Sequence, residues 1–234
     1  MIPSILALFA FLQLADPVEA ALRASEAPTS LRVAFDVELT SDAAVRVFRF
    51  DPRLDDGMRW ALTYAAGEDG YLDEIAAAWG AEAAPDGRLF PDDLRASLGP
   101  SPQIEDLGAA WRLRFQHTPS ANDTEFDVWA AERLDATAWV SPETGRFVRI
   151  EYNLPKPVNG PEGGKLLNYK QSYVLEEDPV FGISLITSFR LAFEARGLFR
   201  KERRSYAMQT RNLEAFFATP EDEALFIAAK SSEN

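Results

Sequence analysis

The sequence predicts a mainly β (α+β) protein: one large curled antiparallel sheet, in effect a half-open β-barrel, with a few short helices covering one side. Three observations carry this. Apolar and polar residues alternate with period two in several segments, most clearly at Leu185, Thr187, Phe189, Leu191 and Phe193. Turn residues separate these segments, best seen between Ala136 and Leu154, where Pro142 presets φ and Gly145 can close the turn in the left-handed region. Helical spacing is confined to short stretches, and no linker is long enough to split the 234 residues into two domains. A lone hairpin buries too little to be stable, so more sheet must surround it. Large antiparallel sheets commonly curl, and helices at one mouth make a hydrophobic container.

Taken in order, Ile2 to Leu14 is apolar, uncharged and too short to span a bilayer comfortably, the length of a secretory signal core. Residues 1–20 are therefore read as a signal peptide cleaved between 15 and 20. A basic n-region is missing, and Asp16-Pro17-Val18-Glu19 also reads as a capped helix start. A short helix is expected from about Pro17 to Ser25, which cleavage nearer Ala15 would preserve, and the competing reading is a buried N-terminal helix in a cytosolic protein. Residues 21–234 are expected to form a single β-rich domain with a helical insertion at about 71–107.

Leu31 to Thr40 and Ala44 to Phe50 alternate as paired strands across a Thr40-Ser41-Asp42-Ala43 link, and Trp60, Leu62 and Tyr64 alternate in a third. Tyr71 to Trp79 and Pro91 to Leu98 have helical spacing, as a lid or as a cover for one end of the sheet. Strand character resumes at Trp111, Leu113 and Phe115, and again at Phe126, Val128 and Ala130. In the hairpin, Val148, Ile150, Tyr152 and Leu154 share one face. Leu167, Tyr169, Gln171, Tyr173 and Leu175 alternate in a later strand. From Phe199 to Phe217 periodicity alone admits strand or helix; strand is expected because the preceding meander needs a neighbour. Thr219-Pro220-Glu221-Asp222 caps a C-terminal helix. The count is nine or ten strands.

A formal charge of −13 argues against nucleic acid, whose phosphates would be repelled. The absence of cysteine excludes disulfides, a thiol nucleophile and thiolate metal sites. Between Asp51 and Asp106 there are 13 acidic and 4 basic residues, without the spacing of a calcium loop, so a solvated acidic surface is expected. The single histidine, His117, lies near Ser120 and Asp123 but shows no sign of a triad, and a loop position is expected. Asn122-Asp123-Thr124 matches a glycosylation sequon. No catalytic residue, metal ligand or cofactor is assigned, and no transmembrane segment is expected after cleavage.

This order of elements resembles the periplasmic lipoprotein-carrier (LolA-like) family. The likeness rests on the helix running into an alternating strand at Asp16 to Leu39, on the turn and return strand of Trp139-Val-Ser-Pro-Glu-Thr-Gly-Arg-Phe-Val-Arg-Ile-Glu, and on the long strands from Lys165 to Phe217. The region from Phe50 to Leu107 departs from the family pattern. The resemblance implies a soluble periplasmic or secreted protein that holds an acyl chain of a lipid or lipoprotein without catalysis. It supplies no individual site residue.

The candidate ligand-binding residues come instead from the requirement for an apolar concave surface. They are Trp60, Tyr64, Trp111, Phe115, Trp139, Tyr152, Phe189 and Phe193. The same positions would suit a packed core; a concave face left partly unfilled distinguishes the two. Arg200, Lys201, Arg203 and Arg204 form the most unusual local charge, either protecting an edge strand or docking a lipid headgroup or an acidic envelope partner. The alternative function is accordingly a non-catalytic cell-envelope interaction module that docks through this basic edge.

Overall fold

The computed structural model describes residues 17–91, 94–99, 102–118, 125–160, 163–197 and 201–232, with the side chains of 125–127 left aside. The expected signal segment up to residue 16, Ser120, Asp123, the Asn122 sequon and Arg200 lie outside the described residues. Eleven strands form one antiparallel sheet: β1 (Leu31–Ser41), β2 (Ala44–Phe50), β3 (Trp60–Gly67), β4 (Gln103–Asp106), β5 (Trp111–Phe115), β6 (Asp135–Ser141), β7 (Arg146–Asn153), β8 (Val158–Asn159), β9 (Lys165–Glu177), β10 (Ser184–Arg196) and β11 (Lys201–Phe217). Their order is β3-β2-β1-β11-β10-β9-β7-β6-β5-β4, with β8 beside β9. The end strands β3 and β4 do not pair, so the sheet is open, which fits the expected curled, half-open sheet.

The five helices are α1 (Pro17–Ser25), α2 (Gly70–Gly80), α3 (Leu94–Leu98), α4 (Glu125–Ala131) and α5 (Pro220–Ser232). One apolar face of the sheet carries the core. On β1, Leu31, Val33, Phe35, Val37 and Leu39 are all at most 1% exposed, because their alternation turns every second side chain inward. Helix α2 fills the hollow over β1 to β3, and α3 reaches across to Tyr152 of β7 through Ser97. Trp79 of α2 sits 6.2 Å from Phe35 and 6.0 Å from Trp60, and Leu89, Leu94 and Leu98 are buried. The start of α2 is fixed twice. Asp69 accepts the N–H groups of Tyr71 and Leu72 as its cap. Buried Arg46 reaches Asp73 at 2.8 Å while donating to the carbonyls of Ala66 and Gly67.

Gly67 ends β3 at φ +71°, and a Cβ there would lie 2.0 Å from the carbonyl oxygen of Ala43. Only glycine meets both conditions. Gly145 takes φ +64° in the expected turn, where its N–H donates to the Ser141 carbonyl.

Four expectations are corrected. The 125–131 segment is helix, not strand: Ala130 and Ala131 are buried and Val128 is exposed. Seven residues are too few for periodicity to decide, and Ala-Ala favours helix. Residues 103–106 form strand β4 inside the segment expected to be helical to 107. In β7 the register shifts between Trp139/Arg149 and Val140/Phe147, leaving Val148 as a bulge. Phe147 therefore turns inward and Val148 outward. A second bulge, at Thr187, breaks the Leu185–Phe193 alternation, so Ile186 shares the inner face with Phe189, Leu191 and Phe193.

Candidate functional site

Away from the filled hollow, the inner face of β5 to β11 carries a continuous row of aromatic rings. Phe115 on β5 meets Tyr152 on β7 at 6.3 Å, across Ala136, whose small side chain leaves the gap. Tyr152 lies 6.4 Å from Tyr173 on β9, Tyr173 4.9 Å from Phe189 on β10, and Phe189 5.2 Å from Tyr206 on β11. Tyr71 of α2 closes the row at 6.0 Å from Tyr206, and the Arg204 guanidinium lies over its ring at 4.3 Å. The row crosses five strand spacings, about 24 Å. Apart from Tyr152, which is buried, its members are half-buried.

The row is apolar with a polar thread. The Tyr169 hydroxyl donates to Gln171, and the Gln171 amide donates to the Tyr173 hydroxyl. Tyr152 hydrogen-bonds Ser97 of α3, and burial pushes its hydroxyl up to about 12. Burial raises Tyr173 and Tyr206 in the same direction. These phenols are neutral at physiological pH and donate or accept hydrogen bonds without bringing charge into the hollow.

At its Tyr71 end the row opens into a groove of about 440 Å³ lined by Asp42, Tyr71, Glu74, Arg203 and Arg204, among others. The groove exists because β11 outruns its neighbour. β1 ends at Ser41, opposite Tyr206, so residues 201–205 pair only with β10. The β1–β2 turn and the first turn of α2 form the facing wall.

Six of the eight sequence candidates lie on the inner face, and three of those belong to the row: Phe115, Tyr152 and Phe189. Phe193 neighbours it, half-buried opposite Tyr169. Trp60 stacks on Phe48 at 4.7 Å inside the packed core, and Trp111 packs beside Val140 at the other end. Tyr64 and Trp139 do not reach the hollow. The β2–β3 register shifts between Val47 and Phe48, which turns Tyr64 to the outer face opposite Val47, 56% exposed. Trp139 pairs with Arg149, whose guanidinium covers its ring on the outer face. Tyr71, Tyr173 and Tyr206 were missing from the candidates. Tyr173 stood in a period-two strand; Tyr206 lay where period alone left strand and helix open. His117 is half-buried, its ring 5.0 Å from Tyr152 and edge-on to it.

The basic cluster also changes character in space. β11 is an interior strand, so only its first five residues offer a free edge. Lys201 pairs with Glu194 at 2.8 Å, Arg204 with Glu202 and Arg211 with Glu38 at 3.5 Å. Arg203 is exposed and makes no ion pair among the described residues. No group of acidic or histidine side chains fit to hold a metal ion occurs among the described residues. No described helix is long and apolar enough to cross a membrane.

Together these define an open antiparallel-sheet protein with helices on its inner face. No family model, curated protein or solved structure matches the chain.

Proposed function

We propose that this protein is an exported carrier or binding protein that holds the acyl chain of a lipid or lipoprotein along the aromatic row. The row itself is the observation that carries the reading. An ordinary core closes over its rings, whereas Phe115, Tyr173, Phe189 and Tyr206 pack against the core yet stay half-buried on the inner face of an open sheet. Ligand binding there is driven by apolar area removed from water, and about 24 Å of aromatic surface suits a long chain better than a compact molecule. The tyrosine hydroxyls and Gln171 supply the few polar contacts that fix position. Helix α2 walls the site at its Tyr206 end, and α3 meets it at Tyr152. The resemblance to periplasmic lipoprotein carriers points the same way.

The test is to purify the protein under native conditions, extract it with organic solvent and analyse the extract by mass spectrometry, with titration of a fluorescent acyl analogue in parallel. Co-purified acyl lipid and saturable binding of the analogue are expected. An empty extract together with no saturable binding would falsify the proposal.

A further inference from the structure

The acyl-chain reading leaves open how the chain is joined at its head, and the polar thread of the row bears on that. Along β9 the Tyr169 hydroxyl donates to Gln171, and the Gln171 amide donates to the Tyr173 hydroxyl. Tyr173 is the acceptor at the end of this thread, and its own O–H finds no acceptor among the described residues. Hydrogen bonds in a chain polarise one another, so the terminal O–H is strengthened as a donor. Gln171 also holds the phenol oxygen in place, and the ring is flanked by Tyr152 at 6.4 Å and Phe189 at 4.9 Å. A half-buried phenol with a donor to spare, set in an apolar hollow, is matched by a ligand that brings an acceptor.

The acceptor that fits is a neutral one. Two arginines act on the Tyr71 and Tyr206 end of the row, and both are held: Arg204 by Glu202 and the Tyr71 ring, Arg88 by Glu82 and the Trp79 ring. A carboxylate placed at Tyr173 would give up water without gaining a free cation, which is costly. A carbonyl oxygen needs only the O–H donor. Resting on the acyl-chain reading, we propose that the ligand is a fatty acyl ester rather than a free fatty acid, and that its carbonyl accepts the Tyr173 hydroxyl while the chain lies along the row. Tyr206 stands on the far side of Phe189, two strand spacings or about 10 Å away, and no hydrogen bond engages its hydroxyl among the described residues. It is the natural control, a phenol of the same row outside the thread.

The experiment titrates three single-chain ligands of one chain length, each by displacement of the same bound fluorescent acyl analogue: monolauroylglycerol, its ether counterpart 1-O-dodecylglycerol, and laurate. The ester is expected to bind about fivefold or more tightly than either of the others, the worth of one hydrogen bond. Tyr173→Phe should bring the ester down to the ether and leave ether binding unchanged, whereas Tyr206→Phe should keep the ester preference. The wild-type comparison decides by itself if Tyr173→Phe does not fold. Equal affinity for ester and ether, tightest binding by laurate, a preference that survives Tyr173→Phe, or one lost with Tyr206→Phe instead overturns the ester assignment while the acyl-chain reading stands. Failure of all three ligands to bind overturns both.

Discussion

Phe189 is the position where a ligand surface and an ordinary core make different demands. It sits in the middle of the row, 4.9 Å from Tyr173 and 5.2 Å from Tyr206, and is half-buried. Phe35 on β1 is fully buried against Phe50 and Trp79. Truncating a buried phenylalanine to alanine costs about 3–5 kcal/mol. Phe35→Ala should therefore lose about 4 kcal/mol. Phe189→Ala, with part of its area already exposed, should lose less, about 3 kcal/mol. In a chain of this size that corresponds to falls in Tm of about 8–16 °C and about 6–12 °C respectively. Binding should reverse the order, because Phe189→Ala cuts the row in two: affinity for an acyl analogue is expected to drop about tenfold or more. Thermal unfolding followed by circular dichroism gives the first comparison, and fluorescence titration of the folded variants the second. If Phe189→Ala destabilises as much as Phe35→Ala and leaves binding intact, Phe189 is core and the site reasoning is wrong.

Two further outcomes test the scaffold. Gly67→Ala places a Cβ 2.0 Å from the Ala43 carbonyl oxygen at φ +71°, so the loss should exceed the 1–2 kcal/mol of left-handed strain alone; a Tm within a degree of wild type would contradict the turn geometry. Asp86 is buried and accepts from the Val33 N–H at 3.3 Å, and desolvation raises its carboxyl above the ordinary range. The native state thus binds this proton more tightly than the unfolded chain. That contribution to stability is full below the unfolded value, near 3.9, and is lost as pH rises through the raised native one. Asp86→Asn keeps an acceptor without the charge, so urea unfolding should find it at least as stable as wild type at pH 7. On acidification the variant should lose ground relative to wild type. A variant clearly less stable at pH 7 would show the charge to be favourable.

Much of the sheet was legible because its strands are long and half-buried, the condition under which period two is strongest. The inward set of β1, from Leu31 to Leu39, needed no structure. Bulges were not legible. At Val148, Thr187 and the β2–β3 shift one residue is inserted, and everything beyond it changes face, which is why Tyr64 was placed inside and Phe147 overlooked. The site was half legible for a related reason. Phe115, Tyr152 and Phe189 could be found by asking which aromatics face inward, but which rings meet depends on the registers between β5, β6, β7, β9, β10 and β11, which pair in chain order with β8 aside, and on α2 bringing Tyr71 to Tyr206. The local excess of arginine around residue 203 likewise dissolved once Glu194 and Glu38 came in from neighbouring strands.

The central claim is that the aromatic row is where an acyl chain lies. A fatty acid carrying a nitroxide midway along its chain, added to protein with isotope-labelled aromatic side chains, reads this directly through paramagnetic broadening in NMR spectra. Tyr152, Tyr173, Phe189 and Tyr206 should broaden first, with Phe35 and Phe50 much less affected. Broadening centred instead on exposed Leu225 and Ile227 of α5, with the row unperturbed, would contradict the account.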